Sequence, residues 1–127
     1  MSLYILLLDT NDEFDALICE EQSIDLDLIG ALLRTGRLAA SPPAHGGLLL
    51  WIDASPTSGA REANARACIL FSRLYGTRDP LVHGPLIVSG GTPEHPEAVS
   101  RGRLDAALRD LFGIEAVHEE TGQDGPS

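Results

Sequence analysis

The amino-acid sequence predicts a single α+β domain, in which a mixed, largely antiparallel sheet of about four or five strands packs against about three helices. Its length of 127 residues suits one domain with a hydrophobic core of its own. Short apolar runs typical of strands alternate with segments whose apolar residues recur at helical spacing. Clusters of Gly, Pro, Ser and Asp separate these segments, and the sequence shows no repeat and no second domain.

The chain opens with a predicted β-hairpin. Leu3 to Leu8 is apolar throughout, as expected of a strand that is covered on both faces. Asp9 to Asp12 follows as a polar turn, and Glu13 to Glu20 alternates partly between apolar and polar residues. We therefore expect the second strand to pair with the first.

A helix is predicted from Ile24 to about Thr35. Ser23 suits its N-cap, carboxylates follow in the first turn, and Gly36 is placed to close it. Its apolar residues cover more than one narrow stripe, so we expect the helix to be well buried. Arg37 to Ala40 predicts a short strand, and the residues from 41 to 47 predict a loop.

The middle of the chain predicts a strand and a second helix. Leu48 to Asp53 reads LLLWID, a strand in which Trp51 serves as a core or edge anchor. The helix that follows ends at Gly76. Its buried stripe is predicted at Ala63, Ala67, Leu70, Phe71 and Leu74.

Leu81 to Ser89 predicts the next strand. Pro85 lies within it, so we expect an edge position or a bulge and hence a kinked strand. Gly90 to Pro96 is dense in turn-forming residues and predicts a loop.

A terminal helix is predicted from about Ser100 to Gly113. Val99, before the N-cap, and Leu104, at the fourth helical position, predict a hydrophobic staple. The buried stripe is predicted at Leu104, Leu108, Leu111 and Phe112. The acidic residues beyond Val117 predict a disordered tail, which gives a domain at 1–117 and a tail at 118–127.

The distribution of charge disfavours nucleic-acid binding. The formal net charge is −10 at pH 7, and eight acidic residues precede the first basic residue, Arg34. Such a surface repels phosphate backbones. All nine basic residues are arginine, which excludes a phosphate-loop lysine, a Schiff-base lysine and a lysine general base. Such an acidic run is usually a solvated face, but it would also suit contact with a basic patch on another protein. The predicted protein-interaction face consists of Glu13, Asp15, Glu20 and Glu21.

The sequence predicts no metal site, no cofactor and no membrane segment. Cys19 and Cys68 are expected to be free thiols, since they lack CxxC spacing. No apolar run approaches the roughly 18 residues that span a bilayer, and the first residues lack signal-peptide features, so we expect a cytoplasmic protein. Metal-ligand spacing is also missing among His45, His83, His95 and His118.

No catalytic set stands out, and one group of residues is a candidate for ligand binding. Asn64 lies near a helix start, where a side-chain amide commonly ties loops together but also suits a ligand. With Arg66 and Arg78 it would form an anion pocket, because guanidinium groups suit phosphates. Asp9 and Asp53 both end apolar strands, where turn formation explains them more simply than catalysis.

The spacing of Asn64-x-x-Ala67, Gly84 and Val88-x-Gly90, followed by a short amphipathic helix, resembles a known family. It is a family of small phage- and plasmid-borne proteins with a domain of unknown function, and the resemblance covers most of the chain. The family tends to have Asp four residues before the Gly that matches Gly84, whereas this chain has Pro80 there, next to Asp79. The resemblance implies a mobile-element setting and a fold shape, without an established activity.

Two functions follow as hypotheses. The first is a non-enzymatic accessory protein of a phage or other mobile element, which contacts a host or phage protein through the acidic face. The second is a protein that binds a small ligand or nucleotide through Asn64 and the nearby arginines, with or without catalysis.

Overall fold

An antiparallel β-sheet forms the central layer of the molecule. A computed structural model describes residues 2–10, 14–40, 47–55, 57–75 and 82–112. Five strands form the main path of the sheet in the order β2-β1-β5-β4-β3. They are β1 (Leu3–Leu8), β2 (Phe14–Cys19), β3 (Leu38–Ala40), β4 (Leu49–Asp53) and β5 (Leu86–Gly91). Two short strands, β6 (Pro96–Glu97) and β7 (Val99–Ser100), pair with β5 and β1. Each of these pairings is antiparallel, so the predicted α+β class is confirmed.

Helices cover both faces of this sheet. They are α1 (Leu26–Leu33), α2 (Ala65–Tyr75) and α3 (Arg101–Phe112), with a short 3₁₀ turn at Ser58–Ala60. Buried residues of α1 share a hydrophobic cluster with one face, while Ala67 of α2 and Leu104 of α3 belong to the cluster on the other. None of the helices in the described ranges is both long and apolar enough to cross a lipid bilayer.

Strand β5 forms the centre of the core because it pairs with β1 on one side and β4 on the other. Val88 lies opposite Leu6 on β1 and opposite Leu50 on β4, and all three are at most 2% exposed. The preceding residue, Ile87, belongs to the other cluster, where Trp51 is its β4 neighbour. Each fully buried aliphatic side chain of this kind stabilises the fold by roughly 1.5–3 kcal/mol.

The first helix differs from its prediction at both ends. Ile24 lies outside the helix, its N–H donates to the carbonyl of Pro96 at 3.0 Å, and Asp25 rather than Ser23 caps the helix. The helix ends at Arg34, whose φ of 58° is left-handed, so it stops before the expected Gly36. Within α1 only Ile29 and Leu33 are buried, so the expectation of a well-buried helix is wrong.

The prediction of a kinked strand across Pro85 is also wrong. Strand β5 begins after Pro85, so the missing proline N–H interrupts no hydrogen bond of the sheet. It then continues through Gly90 and Gly91, which were expected in a loop. A Cβ at Gly90 would lie 2.6 Å from the Cγ1 of Val99, so a side chain there would prevent this close packing.

The terminal helix follows its prediction closely at its beginning. The hydroxyl of Ser100 accepts a hydrogen bond from the N–H of Arg103 at 3.3 Å, as expected of an N-cap. Val99 and Leu104 are 3% and 0% exposed and belong to one cluster, as the predicted staple requires. The predicted tail at 118–127 lies outside the described residues, and so do the side chains of Leu70, Phe71, Leu74, Leu108, Leu111 and Phe112.

Candidate functional site

A polar cleft lies at the edge of the sheet where the ends of β1 and β4 meet the beginning of β5. These ends coincide because β1 and β4 both run antiparallel to the strand between them. The cleft has a volume of about 610 Å³. Its lining carries four hydroxyl groups, two guanidinium groups and two carboxylates, and consists of Thr10, Arg34, Thr35, Asp53, Ser55, Thr57, Arg61, Glu62 and Gly84.

An ion pair between Asp53 and Arg61 forms the floor of this cleft. Nη1 of Arg61 lies 3.1 Å from Oδ2 of Asp53, whose side chain is 4% exposed. The other carboxylate oxygen accepts the N–H of Ser55 at 2.9 Å, so the turn role predicted for Asp53 is confirmed. Burial alone would raise the pKa of Asp53, but hydrogen bonds from Ser55, Thr35 and Arg61 outweigh it and lower the pKa to about 2.

Arg61 connects three parts of the chain. Besides Asp53, its Nη1 donates to the carbonyl of Leu33 at the end of α1, at 2.7 Å. Gly84 has a φ of 81°, and a Cβ there would lie 2.9 Å from Nε of Arg61. Glycine therefore allows the guanidinium group to lie against the backbone that leads into β5.

Sequence reasoning missed Arg61 as a site residue. It stands eight positions from Asp53 in a segment without regular periodicity, and its partner at Leu33 is a backbone carbonyl. Neither the position of Arg61 nor its backbone partner produces a recognisable motif in the sequence. The available signal was weaker: Asp53 ends an apolar strand, and an arginine follows in the same loop.

Asn64 is a structural connector between β1, β5 and α2. It is 0% exposed, and its Nδ2 donates to the carbonyls of Leu8 and Gly84, each at 3.0 Å. Its Oδ1 accepts the N–H of Ala67 at 3.1 Å, which makes it the N-cap of α2. Both amide hydrogens are thus donated to backbone carbonyls, which is the loop-tying role considered for this residue.

Two of the three residues of the predicted anion pocket, Asn64 and Arg66, lie in the described part of the chain. Arg66 is half-buried on α2, and neither Arg66 nor Asn64 belongs to the lining of the cleft. Arg78, the third member, lies outside the described residues. A ligand-binding role for this group stays a prediction.

The residues of the predicted acidic face lie on and after the outermost strand. Asp15 is half-buried on β2, and Glu20 and Glu21 are exposed directly after it, while Glu13 lies outside the described residues. Strand β2 ends the sheet, and in the described chain only β1 pairs with it. Ile18, in the same strand, is 70% exposed.

The two thiols and His83 have structural surroundings. Cys19 and Cys68 are free, as predicted, and burial raises the pKa of the Cys19 thiol. Sγ of Cys68 accepts the N–H of Val82 at 3.3 Å, and Nδ1 of His83 lies 2.8 Å from the carbonyl of Arg61. Within the described part of the chain, no three His, Cys, Asp or Glu side chains are grouped as metal ligands would be.

Comparisons of this chain were made with protein-family models, with curated proteins and with solved structures. None of the three gave a match. The resemblance to the phage and plasmid family therefore stays a prediction.

Proposed function

We propose that this protein is a cytoplasmic, non-enzymatic accessory protein of a phage or plasmid that binds a basic segment of another protein along β2. The observation that carries the proposal is the position of β2 at the outer edge of the sheet, with Ile18 70% exposed. A sheet edge presents unpaired N–H and C=O groups, to which an extended segment can add as a further strand.

Charge selects the kind of partner. Asp15, Glu20 and Glu21 place carboxylates along and after this strand, and the whole chain has a net charge of −10. A second copy pairing at the same edge would bring these carboxylates against one another, which opposes self-association. An extended segment with arginine or lysine would instead gain favourable electrostatics. The same charges oppose a nucleic-acid backbone.

A defined peptide tests this proposal. The probe is a peptide of about eight residues that alternates arginine and valine, long enough to cover one strand. Its binding to the ¹⁵N-labelled full chain is followed by chemical-shift changes of the β2 amides. A peptide alternating glutamate and valine controls for charge, and a version N-methylated at alternate residues controls for backbone pairing.

The protein variants separate this edge from other exposed apolar surface. Ile18→Lys should weaken peptide binding about tenfold, because it removes an apolar contact and repels the basic probe. Ile69→Lys makes the same change at another exposed isoleucine, which is 44% exposed on α2, and should leave binding unchanged. Replacing Glu13, Asp15, Glu20 and Glu21 by the corresponding amides should also weaken it.

Three results would count against the proposal. Equal loss in the Ile18 and Ile69 variants would mean that β2 is not the binding surface. Unchanged binding in the amide variant would mean that the carboxylates of the acidic face do not contribute to peptide binding. Equal binding of the N-methylated peptide would exclude strand addition.

A further inference from the structure

The cleft at the strand ends contains a guanidinium group that the fold holds in place. Nη1 of Arg61 is occupied by the carbonyl of Leu33 and by Asp53, while Gly84 leaves space for the group to lie against the backbone. Within the described chain, Nη2 and Nε of Arg61 have no hydrogen-bond partner. A donor fixed in this way loses little conformational entropy when a ligand binds.

A second guanidinium group lines the same cleft. Arg34 ends α1 in the left-handed conformation, and its side chain is exposed. The described residues supply no hydrogen bond or ion pair to that side chain. Two cationic forks, one fixed and one free to move, are thus placed on one polar cavity of about 610 Å³.

We propose that this cleft binds a small polar ligand through one oxyanion, a carboxylate or a phosphate, held between Arg34 and Arg61. Guanidinium groups match the geometry of such oxyanions and form charge-assisted hydrogen bonds with them. Hydroxyl groups of Ser55 and Thr57, whose oxygens are 3.4 Å apart, line the same cavity and suit the remaining polar groups of the ligand. The described lining contains no aromatic or large aliphatic side chain, which makes an apolar ligand a poor fit.

The carboxylates of the lining act unequally on such a ligand. Asp53 is paired with Arg61, so its charge is compensated within the site. Glu62 is exposed, and among the described residues its Oε1 accepts only a long hydrogen bond from Thr10, at 3.3 Å. Its charge remains to repel an anion, and removing that charge should therefore strengthen binding.

The test uses the full chain and two pairs of probes at constant ionic strength. Inorganic phosphate and phenyl phosphate represent phosphates, and acetate and benzoate represent carboxylates. Binding is followed by chemical-shift changes of the backbone amides of Ser55, Thr57 and Arg61. Binding of the phosphate pair alone assigns a phosphate ligand, and binding of the carboxylate pair alone assigns a carboxylate.

Three variants at exposed residues test the site and control for general charge, and none of them removes a buried contact. Arg34→Gln should weaken binding about tenfold, as expected for one charge-assisted hydrogen bond. Arg37→Gln removes the same charge from an exposed arginine outside the lining and should have little effect. Glu62→Gln should tighten binding about threefold, by relief of like-charge repulsion near the surface.

Two results would overturn the proposal. The first is the absence of shifts at the cleft amides with all four probes at 20 mM. The second is an equal loss of affinity in the Arg34 and Arg37 variants, because that would reflect general charge and not a site. Both are independent of the β2 edge, so the proposed protein contact can fail while this site stands.

Discussion

Replacement of Asn64 tests the connector at the centre of the fold. Asn64→Ala removes two donated hydrogen bonds, to Leu8 and Gly84, and one accepted from Ala67. Each is worth about 1 kcal/mol net, and a buried group left without a partner adds a penalty of about 1–3 kcal/mol. Because Asn64 is 0% exposed, water cannot easily replace the lost amide. We expect a loss of about 4 kcal/mol, from a total stability of roughly 5–15 kcal/mol.

Urea unfolding measures this loss directly. Trp51 is the only tryptophan and is 3% exposed, so its fluorescence reports on the integrity of the core. With a slope of about 2 kcal/mol per molar urea, the midpoint should fall by about 2 M.

Two further substitutions distinguish the N-cap role of Asn64 from its hydrogen bonds to the carbonyls of Leu8 and Gly84. Asn64→Ser keeps an acceptor for the N–H of Ala67 and should recover about 1 kcal/mol relative to alanine. Asn64→Asp also keeps that acceptor but directs a carboxylate oxygen at the carbonyls of Leu8 and Gly84. It should be at least as destabilising as alanine at pH 7. A loss below about 1 kcal/mol for alanine, or a tolerated aspartate, would refute the structural role.

Two other predictions follow from the turns around the sheet. The pKa of Asp53 is lowered from 3.8 to about 2, so its charged form stabilises the fold fully above pH 4 and loses this effect as the pH falls toward 2. The stability difference between the wild type and Asp53→Asn should therefore shrink over that window by about 2 kcal/mol in urea titrations, and parallel profiles would contradict the assignment. Gly91 has a φ of 82°, and a Cβ there would lie 2.3 Å from the carbonyl oxygen of His95. Gly91→Ala should lower stability by about 2–4 kcal/mol, whereas Gly36→Ala, with open space around it, should change it by less than about 1 kcal/mol; equal effects would exclude local strain.

The elements that sequence patterns predicted are those whose signal is local. Strand β1 is an unbroken apolar run, and it lies between two hydrophobic clusters as such runs require. Helix α3 has its N-cap at Ser100 and its staple at Val99 and Leu104, all within six consecutive residues. In both cases the residues that decide the structure are close neighbours in the chain.

Strand β5 and helix α1 departed from prediction because distant segments determine their ends. Gly90 and Gly91 resemble a loop, but they extend the strand where β6 pairs with it and where Val99 packs closely. Ile24 has helical spacing, yet its N–H is bound by Pro96, more than seventy residues along the chain. The local secondary-structure propensity of a segment carries no information about such long-range hydrogen bonds.

The cleft was beyond sequence reasoning for a similar reason. Asp53 was noted as the end of a strand, but the significance of Arg61 depends on the carbonyl of Leu33 and on the space above Gly84. Asn64 was selected correctly as an unusual residue. Only the structure shows that both of its amide hydrogens bind backbone carbonyls, and that Arg34 and Arg61 line the cleft.

Two polar side chains at this edge of the sheet, the buried Asn64 and the half-buried Arg61, bear on both proposals. Asn64 joins the end of β1 to Gly84, two residues before β5, and Arg61 joins the end of α1 to the end of β4. The cleft is therefore framed by hydrogen bonds between separate elements, which suits a preformed ligand site. Strand β2, by contrast, pairs only with β1 among the described strands and takes no part in these connections. Substitutions at Ile18 should accordingly leave oxyanion binding intact, and substitutions at Arg34 should leave peptide binding intact.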